Sequence, residues 1–179
     1  MTHEYSVSGT ALIGDELEAR EVTIVVKDGI ITTIEDESRV PPHWICPAFF
    51  NAHTHLADTV AMDIPCTGTL EELVTPPNGL KHTILAQTPH ADLIAAITDT
   101  ITEMIHTGTA GCADFREGGK EGVLALQQAA SGLPFRSIIL GREGGEEIGA
   151  GAGISSARDI ATSIEIAEKM KKQGKIVGF

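Results

Sequence analysis

The chain has 179 residues, with 13 Lys and Arg against 25 Asp and Glu, which gives a formal net charge of −12. Sequence-independent binding to nucleic acid or to an anionic membrane needs a basic surface, so this acidic balance excludes both kinds of partner. At 42% hydrophobic and 21% charged residues, the composition is that of a folded protein long enough to bury a sizeable core.

Membrane-spanning and disulfide-rich secreted proteins are two further classes that the sequence disfavours. No apolar run approaches the ~18 residues that a membrane-spanning helix requires. The three cysteines, Cys46, Cys66 and Cys112, are far apart and form no C-x-x-C pair. A disulfide framework is therefore not expected, and the sequence predicts a protein of the reducing cytoplasm.

Residues 1–45 are predicted to form a small β unit. Two β-branched runs, 22–26 and 30–34, flank the pair Asp28-Gly29. An Asp-Gly pair between such runs is a strong signal for a β-hairpin, because the turn needs residues that tolerate positive φ. Residues 5–13 add a candidate third strand.

From residue 46 onward, the pattern changes to strands that alternate with helices. Strands are predicted at 45–52, 109–115, 135–140 and 175–179, with a very short one near 152–154. Helices are predicted from Thr88-Pro89 to Gly108, at 120–131, and from a Ser155-Ser156 cap to Gly174. Alternation of this kind implies a parallel sheet, either doubly wound or closed as a barrel. An eight-stranded barrel takes ~250 residues, so we expect about half of one, cut mid-fold after the strand at 175–179.

Residues 56–88 are predicted to be a long connection rich in Thr, Pro and Gly. Loops of this length inside a compact domain are usually functional, as lids or binding loops.

His53 and His55 are separated by one residue at the end of the first predicted strand of the α/β region. Alternate side chains of a strand share a face, so both imidazoles point the same way from α-carbons roughly 6.5–7 Å apart. Two such imidazoles can bind one divalent metal at about 2.0–2.1 Å without distorting the backbone. The spacing is compatible with a metal site, and equally with two ordinary surface histidines. Its position favours the metal site, because the carboxyl end of a parallel strand faces the ligand crevice.

The segment Pro47-Ala48-Phe49-Phe50-Asn51-Ala52-His53-Thr54-His55 resembles the first-strand signature of the amidohydrolase superfamily, Pro-Gly-apolar-apolar-Asn/Asp-x-His-x-His. The β-rich residues upstream, with their short Asp-Gly turn, are similar in order to the family's amino-terminal strands. Asn51 and the following Leu56-Ala57-Asp58 resemble the branch that contains cytosine deaminase, S-adenosylhomocysteine deaminase and the chlorohydrolases. Ala48 departs from the usual glycine, at the turn into the strand and away from the histidines.

The resemblance implies an α/β fold: a partial (β/α)₈ TIM-like barrel of about the first five strands at residues 46–179, preceded by a partial β-sandwich subdomain at residues 1–45. It implies that His53 and His55 are ligands of one divalent metal, with zinc favoured over iron. Family members take further ligands from the fifth, sixth and eighth strands, and none of these is assigned here. The catalytic acid and base stay unassigned as well, so full activity is not expected from this chain alone.

The function that the resemblance implies is a metal-dependent hydrolase of non-peptide carbon–nitrogen bonds, a deaminase or amidohydrolase of a cyclic amidine or aminated heterocycle. The partners would be a small-molecule substrate and either a second copy of the chain or a complementing C-terminal chain. The alternative is a catalytically incomplete half-barrel that works only with a partner chain. A third function class, an acidic nucleotide-binding module, would use the Gly-rich segment 141–153 to bind phosphate. That segment lacks the third glycine of a G-x-G-x-x-G motif, and it carries three glutamates that would repel phosphate.

Asp114, Arg116 and Glu117 follow the second strand of the α/β region, where barrel enzymes place substrate contacts. The same residues also fit a solvated, charged turn before the helix at 120–131. The general rarity of buried charge favours the solvated turn.

Overall fold

A computed structural model of the chain describes residues 3–76, 78–155 and 160–179. It divides into two compact units, Met1–Ala48 and Phe49–Phe179. None of the helices in the described ranges combines the length and apolar character that crossing a bilayer demands.

The first unit is built on one four-stranded sheet. Its strands are β1 (Glu4–Ile13), β2 (Glu18–Lys27), β3 (Ile30–Asp36) and β4 (Trp44–Ile45), in the order β3-β2-β1-β4. The β2–β3 hairpin is confirmed: Asp28 and Gly29 both adopt positive φ, at 51° and 80°. Pairing is antiparallel except between β1 and β4. The partial sandwich stays a prediction, because the described strands of this unit form one sheet.

The second unit is a curled half-barrel of parallel strands with helices between them. The strands are β5 (Phe49–Thr54), β6 (Thr109–Arg116), β7 (Arg136–Gly141), β8 (Gly151–Gly153) and β9 (Ile176–Gly178). The helices are α1 (Leu70–Val74), α2 (Leu80–Gln87), α3 (His90–His106), α4 (Gly119–Ala129) and α5 (Ile160–Lys172). The strands pair in chain order, β5-β6-β7-β8-β9. A doubly wound sheet reverses its strand order at a switch point, so the unreversed strand order observed here indicates the barrel type of α/β sheet.

The core of the second unit lies between the helices and one face of the sheet. Helix α3 places its predicted apolar stripe there, and Ile97 and Ile101 are fully buried. Cys112 and Ile139 come from β6 and β7 to meet this stripe. Because neighbouring side chains of a strand alternate in direction, the residues next to these in sequence face the opposite side, toward the inside of the curl.

Phe115 is the large side chain on the inner face of β6, and it occupies space that two glycines leave open. An added Cβ would lie 2.8 Å from the Phe115 ring at Gly153 and 3.0 Å from it at Gly178. The first distance is shorter than a Cβ tolerates and the second is tight. At Gly178 the Leu140 side chain would lie closer still, at 2.5 Å, so the two glycines make room for both Phe115 and Leu140.

The connection predicted at 56–88 is largely helical. It contains a 3₁₀ turn (Leu56–Ala61), α1 and α2. Helix α1 starts with a capping box, in which Thr69 accepts from the Glu72 N–H and the Glu72 carboxylate accepts from the Thr69 N–H. The T-x-x-E signal was present in the sequence, but these helices are too short to show a periodic apolar stripe.

The strand predicted at 45–52 is divided between the two units. Ile45 pairs with Ala11 in the first sheet, and β5 begins only at Phe49. Phe49 and Phe50 are 67% and 45% exposed, so a fully buried strand, which the apolar run at 45–52 also suggests, is not what forms. Pro47 accounts for the break, because it has no N–H to donate to a ladder. The predicted cap at Ser155-Ser156 lies partly outside the described residues, since Ser156 is not among them.

Candidate functional site

His53 and His55 lie at the carboxyl end of β5 and point to the inner face of the curl. Their ring centroids are 5.4 Å apart, with the ring planes at 52°. His53 stacks on Phe115, with centroids 4.1 Å apart and planes at 17°. The structure thus brings the two predicted ligands together on one face, with one of them supported by the neighbouring strand.

His55 is held by a carboxylate from the next strand end. Its Nδ1 lies 3.2 Å from Oε1 of Glu117, one residue beyond β6. The side chain of His55 is 29% exposed, whereas that of Glu117 is 9% exposed. The contact therefore joins a partly accessible imidazole to a carboxylate that is almost fully removed from water.

Glu117 is the centre of a buried ion network. Its Oε1 accepts from Nζ of Lys81 at 2.9 Å and from Nη1 of Arg142 at 3.1 Å, and its Oε2 accepts from Nη2 of Arg116 at 3.2 Å. Burial alone would raise the pKa of Glu117, but the hydrogen bonds from His55 and Lys81 and the charge of Lys81 hold that pKa well below its usual range. The carboxylate is therefore ionised and serves as an acceptor for several donors at once.

Lys81 connects this network to the helical segment after β5. It extends from α2 and pairs with Oδ2 of Asp58, at 2.9 Å, as well as with Glu117. Its Nζ also lies 3.4 Å from Nδ1 of His55. Beside the Lys81–Asp58 pair opens a cavity of about 210 Å³ whose lining is mostly apolar. The segment predicted as a binding loop thus contributes a charge beside His55, and Lys81 and Asp58 also line the pocket.

Asp114 and Arg116 lie on the opposite, helix-facing side of β6. Oδ2 of Asp114 accepts from the Leu56 N–H at 2.6 Å, and Oδ1 of Asp114 lies 3.3 Å from Nη1 of Arg116. Burial raises the pKa of Asp114 above its ordinary value, against the opposing effects of Arg116 and the Leu56 N–H.

The preference for a solvated turn at Asp114, Arg116 and Glu117 is wrong, since all three side chains are buried. The physical reason is that each charge has a partner of opposite sign within the fold, which is the condition under which charged side chains become buried.

Two members of the network, Lys81 and Arg142, were not anticipated from the sequence. Arg142 had a signal, because it follows β7 just as Glu117 follows β6. It also donates from Nε to the Gly153 carbonyl at 3.0 Å, and its guanidinium lies 5.7 Å from the Phe115 ring centroid. Lys81 had no comparable signal, since it comes from a segment without strong periodicity. The Gly-rich segment therefore contributes an arginine to this network.

No third metal ligand joins the two histidines within the part of the chain that the structure describes. Across residues 3–76, 78–155 and 160–179, no group of three or more His, Cys, Asp or Glu side chains is arranged to hold a metal ion. Glu117 is close to His55, but its oxygens are engaged by Lys81, Arg116 and Arg142. The described residues thus provide two imidazole nitrogens as possible metal ligands, and the Glu117 ion network lies next to one of the two histidines.

The sequence model of the amidohydrolase family matches residues 44–177. The chain belongs to the amidohydrolase family. It is 42% identical over 144 residues to a putative aminohydrolase of Methanothermobacter thermautotrophicus, covering 76% of this chain and 37% of that protein. It is 31% identical over 159 residues to a putative aminohydrolase of Archaeoglobus fulgidus, covering 89% and 43%. This family member spans between 36 and 43% of the length of the curated relatives it matches.

Solved structures share the fold of this amidohydrolase-family chain at low sequence identity. A triazine hydrolase from Arthrobacter aurescens superposes with a TM-score of 0.55 at 17% identity, covering 77% of this chain and 35% of that one. The atrazine chlorohydrolase TrzN from Arthrobacter aurescens TC1, complexed with zinc, superposes with a TM-score of 0.54 at 15% identity, covering 92% and 43%. At these low sequence identities, the structural similarity establishes a shared fold alone.

Proposed function

We propose that the chain forms part of a metal-dependent hydrolase of non-peptide carbon–nitrogen bonds, acting as a deaminase or amidohydrolase on a cyclic amidine or an aminated heterocycle. The observation that carries the proposal is the placement of His53 and His55 on one face at the end of β5, with Glu117 against Nδ1 of His55. Membership of the amidohydrolase family and two relatives named as putative aminohydrolases support the reaction class.

The residues present fit a divalent metal as two of its ligands. Imidazole nitrogens suit zinc and iron alike, and a histidine ligand usually gives the proton of its other nitrogen to a carboxylate. A carboxylate is near His55 as well, because Oε1 of Glu117 lies 3.2 Å from its Nδ1. We favour zinc, which one structural neighbour contains. The remaining ligands we place outside the described residues.

A divalent metal supplies the Lewis acidity that turns water into an effective nucleophile near neutral pH. Other residues of this chain would position the two histidines that bind the metal. Phe115 fixes the ring plane of His53 by stacking, and Glu117 orients His55. The apolar cavity beside Lys81 and Asp58 offers an adjacent surface for a small-molecule substrate.

Metal content of the purified 179-residue chain tests the proposal. Zinc and iron would be measured by elemental analysis in the natural chain and in the double variant His53→Ala, His55→Ala. A matched control replaces two exposed histidines, His43 and His106, by Ala. We expect bound metal in the natural chain and in the control, and no bound metal in the double variant. Equal metal in all three proteins, or none in the natural chain after loading with zinc, would contradict the proposal.

A further inference from the structure

We infer that Arg142 is a positioning residue for His53: its guanidinium holds the Phe115 ring on which the His53 imidazole stacks. The role of His53 as a metal ligand rests on the proposed function. The placement of its ring rests only on the contacts of this chain. Neither the family match nor the sequence pattern assigns a role to Arg142.

Phe115 comes from the strand that lies between those leading to His53 and Arg142. His53 belongs to β5, Phe115 belongs to β6, and Arg142 immediately follows β7. The His53 and Phe115 rings are stacked with their centroids 4.1 Å apart, and the guanidinium carbon of Arg142 lies over the Phe115 ring, 5.7 Å from its centroid. Stacked rings attract each other, and a cation within about 6 Å of a ring centroid is attracted to that ring. The three side chains therefore form one continuous set of contacts across three neighbouring strand ends.

The guanidinium of Arg142 is itself held by two hydrogen bonds. Its Nε donates to the Gly153 carbonyl at 3.0 Å, and its Nη1 donates to Oε1 of Glu117 at 3.1 Å. The backbone N–H of Arg142 also donates to the Arg116 carbonyl, at 3.1 Å. Since a guanidinium is planar and its donors point in fixed directions, these bonds restrict the plane that Arg142 presents to the Phe115 ring. A lysine at this position would keep the positive charge but lose that plane.

Packing against the glycines of β8 and β9 holds only part of the Phe115 ring. Gly153 and Gly178 pack against ring carbons on that side. At the strand ends lies a cavity of about 270 Å³, and its described lining includes Arg142 and Gly153 but not Phe115. Arg142 therefore covers the ring where it would otherwise meet this cavity. Loss of the guanidinium would leave the ring free to tilt toward the cavity, and the stacked imidazole of His53 would change its position with the ring.

The test is the ¹H chemical shift of the His53 ring protons in the 179-residue chain without metal. A proton over the face of a phenyl ring is shifted upfield, so this shift reports the stacking on Phe115. A His53→Gln variant identifies the signals, and Phe115→Leu gives the value without stacking. We expect the upfield shift in the natural chain and in the control Arg136→Lys, which alters an exposed arginine of β7. In Arg142→Lys we expect the shift to move toward the Phe115→Leu value while circular dichroism shows an unchanged fold.

Two results would overturn the inference: no nuclear Overhauser effect between the Arg142 side chain and the Phe115 ring in the natural chain, or an unchanged His53 shift in a folded Arg142→Lys variant. The first needs no variant, so misfolding of Arg142→Lys cannot hide it.

Zinc titration separates this inference from the proposed function. We expect Arg142→Lys to weaken zinc binding about tenfold relative to Arg136→Lys, at the lower end of the range for residues that support a metal ligand. Where the natural chain binds zinc, equal affinities of these two variants would overturn the inference as well. Absence of zinc binding by the natural chain, with the expected His53 shifts, would refute the proposed function and leave the role of Arg142 standing.

Discussion

The hydroxyl of Thr54 lies 3.0 Å from Oδ2 of Asp114, joining the ends of two neighbouring strands on the face of the sheet away from the histidines. The two residues are also direct partners in the β5–β6 register. The same Asp114 oxygen accepts from the Leu56 N–H, immediately after His55. One buried carboxylate thus bonds to the residues on both sides of His55.

Replacing Thr54 by Val should destabilise the chain by about 1 kcal/mol, because it removes the hydroxyl shared between Asp114 and the Ala113 carbonyl while keeping the shape of the side chain. Asp114 would keep its bond to the Leu56 N–H, so the fold should persist. Urea unfolding followed by circular dichroism measures the change. Replacing Thr32, an exposed β3 threonine, by Val provides the control, and an equal loss in both variants would contradict the assigned role of Thr54.

Replacing Glu117 by Gln should cost about 3–5 kcal/mol of unfolding free energy at neutral pH, because it leaves Lys81, Arg116 and Arg142 without their shared anion. The change would be measured by urea unfolding. Glu147→Gln, which removes exposed ion pairs with Lys120 and Lys169, should have a much smaller effect, because exposed pairs are screened by water and salt. Similar losses of unfolding free energy in the two variants would show that the buried network stabilises the fold no more than an exposed ion pair does.

The cost of Glu117→Gln should depend on pH in one direction. The pKa of Glu117 is lowered in the folded chain, so its contribution is complete above the ordinary carboxyl pKa of 4.5 and is lost as the pH falls toward the folded-state value. The difference in unfolding free energy between the natural chain and the variant should therefore shrink below that pH. Urea titrations at a series of acidic pH values measure it, and a difference that grows with acidity would contradict this sign.

Cys112 should resist alkylation in the folded chain. Burial, together with the charge of Asp114, raises the pKa of its thiol to about 11, against the opposing effects of Thr54 and Arg116. At pH about 8 the thiol stays protonated and shielded, so iodoacetamide should modify the exposed Cys46 and Cys66 but not Cys112. Mass spectrometry counts the labels, and denaturant should expose the third site. Three labels on the folded chain would contradict the prediction.

Gly122 should not tolerate alanine, although it lies within helix α4. Glycine to alanine in a helix normally stabilises by roughly 0.5–1 kcal/mol. Here an added Cβ would overlap the backbone oxygen of Glu117, so we expect destabilisation of about 1–3 kcal/mol. Thermal unfolding measures it, with exposed Gln127→Ala on the same helix as a control near zero. Stabilisation by Gly122→Ala would show that α4 can move away from the strand end.

The hairpin at Asp28-Gly29, helix α3 and strands β6 and β7 were predictable because their signals are local. A turn dipeptide, a stripe at three- and four-residue spacing and a run of β-branched or apolar residues each fall within one short window of sequence. The pair His53 and His55 was predictable for the same reason, since two positions on one strand share a face. Helices α1 and α2 were missed because they are too short for a periodic signal.

The ion network was not predictable because it joins residues that are distant in the sequence. Lys81 lies 36 positions before Glu117, and Arg142 lies 25 positions after it. A charged residue at a strand end is compatible with a solvated turn and, equally, with the centre of a buried ion network until its partners are known. The burial of Glu117 is therefore a property of the assembled fold, to which three separate segments contribute a cation.

Phe115, Gly153 and Gly178 lie around one volume inside the curl, which the Phe115 ring fills together with the Leu140 side chain. An exchange at one of these positions therefore changes what the other two can be. Among related proteins, we expect a larger residue at the position of Gly153 or Gly178 to occur together with smaller ones at the positions of Phe115 and Leu140. A relative with such an exchange would lack the ring on which His53 stacks, and would need another side chain to hold that imidazole.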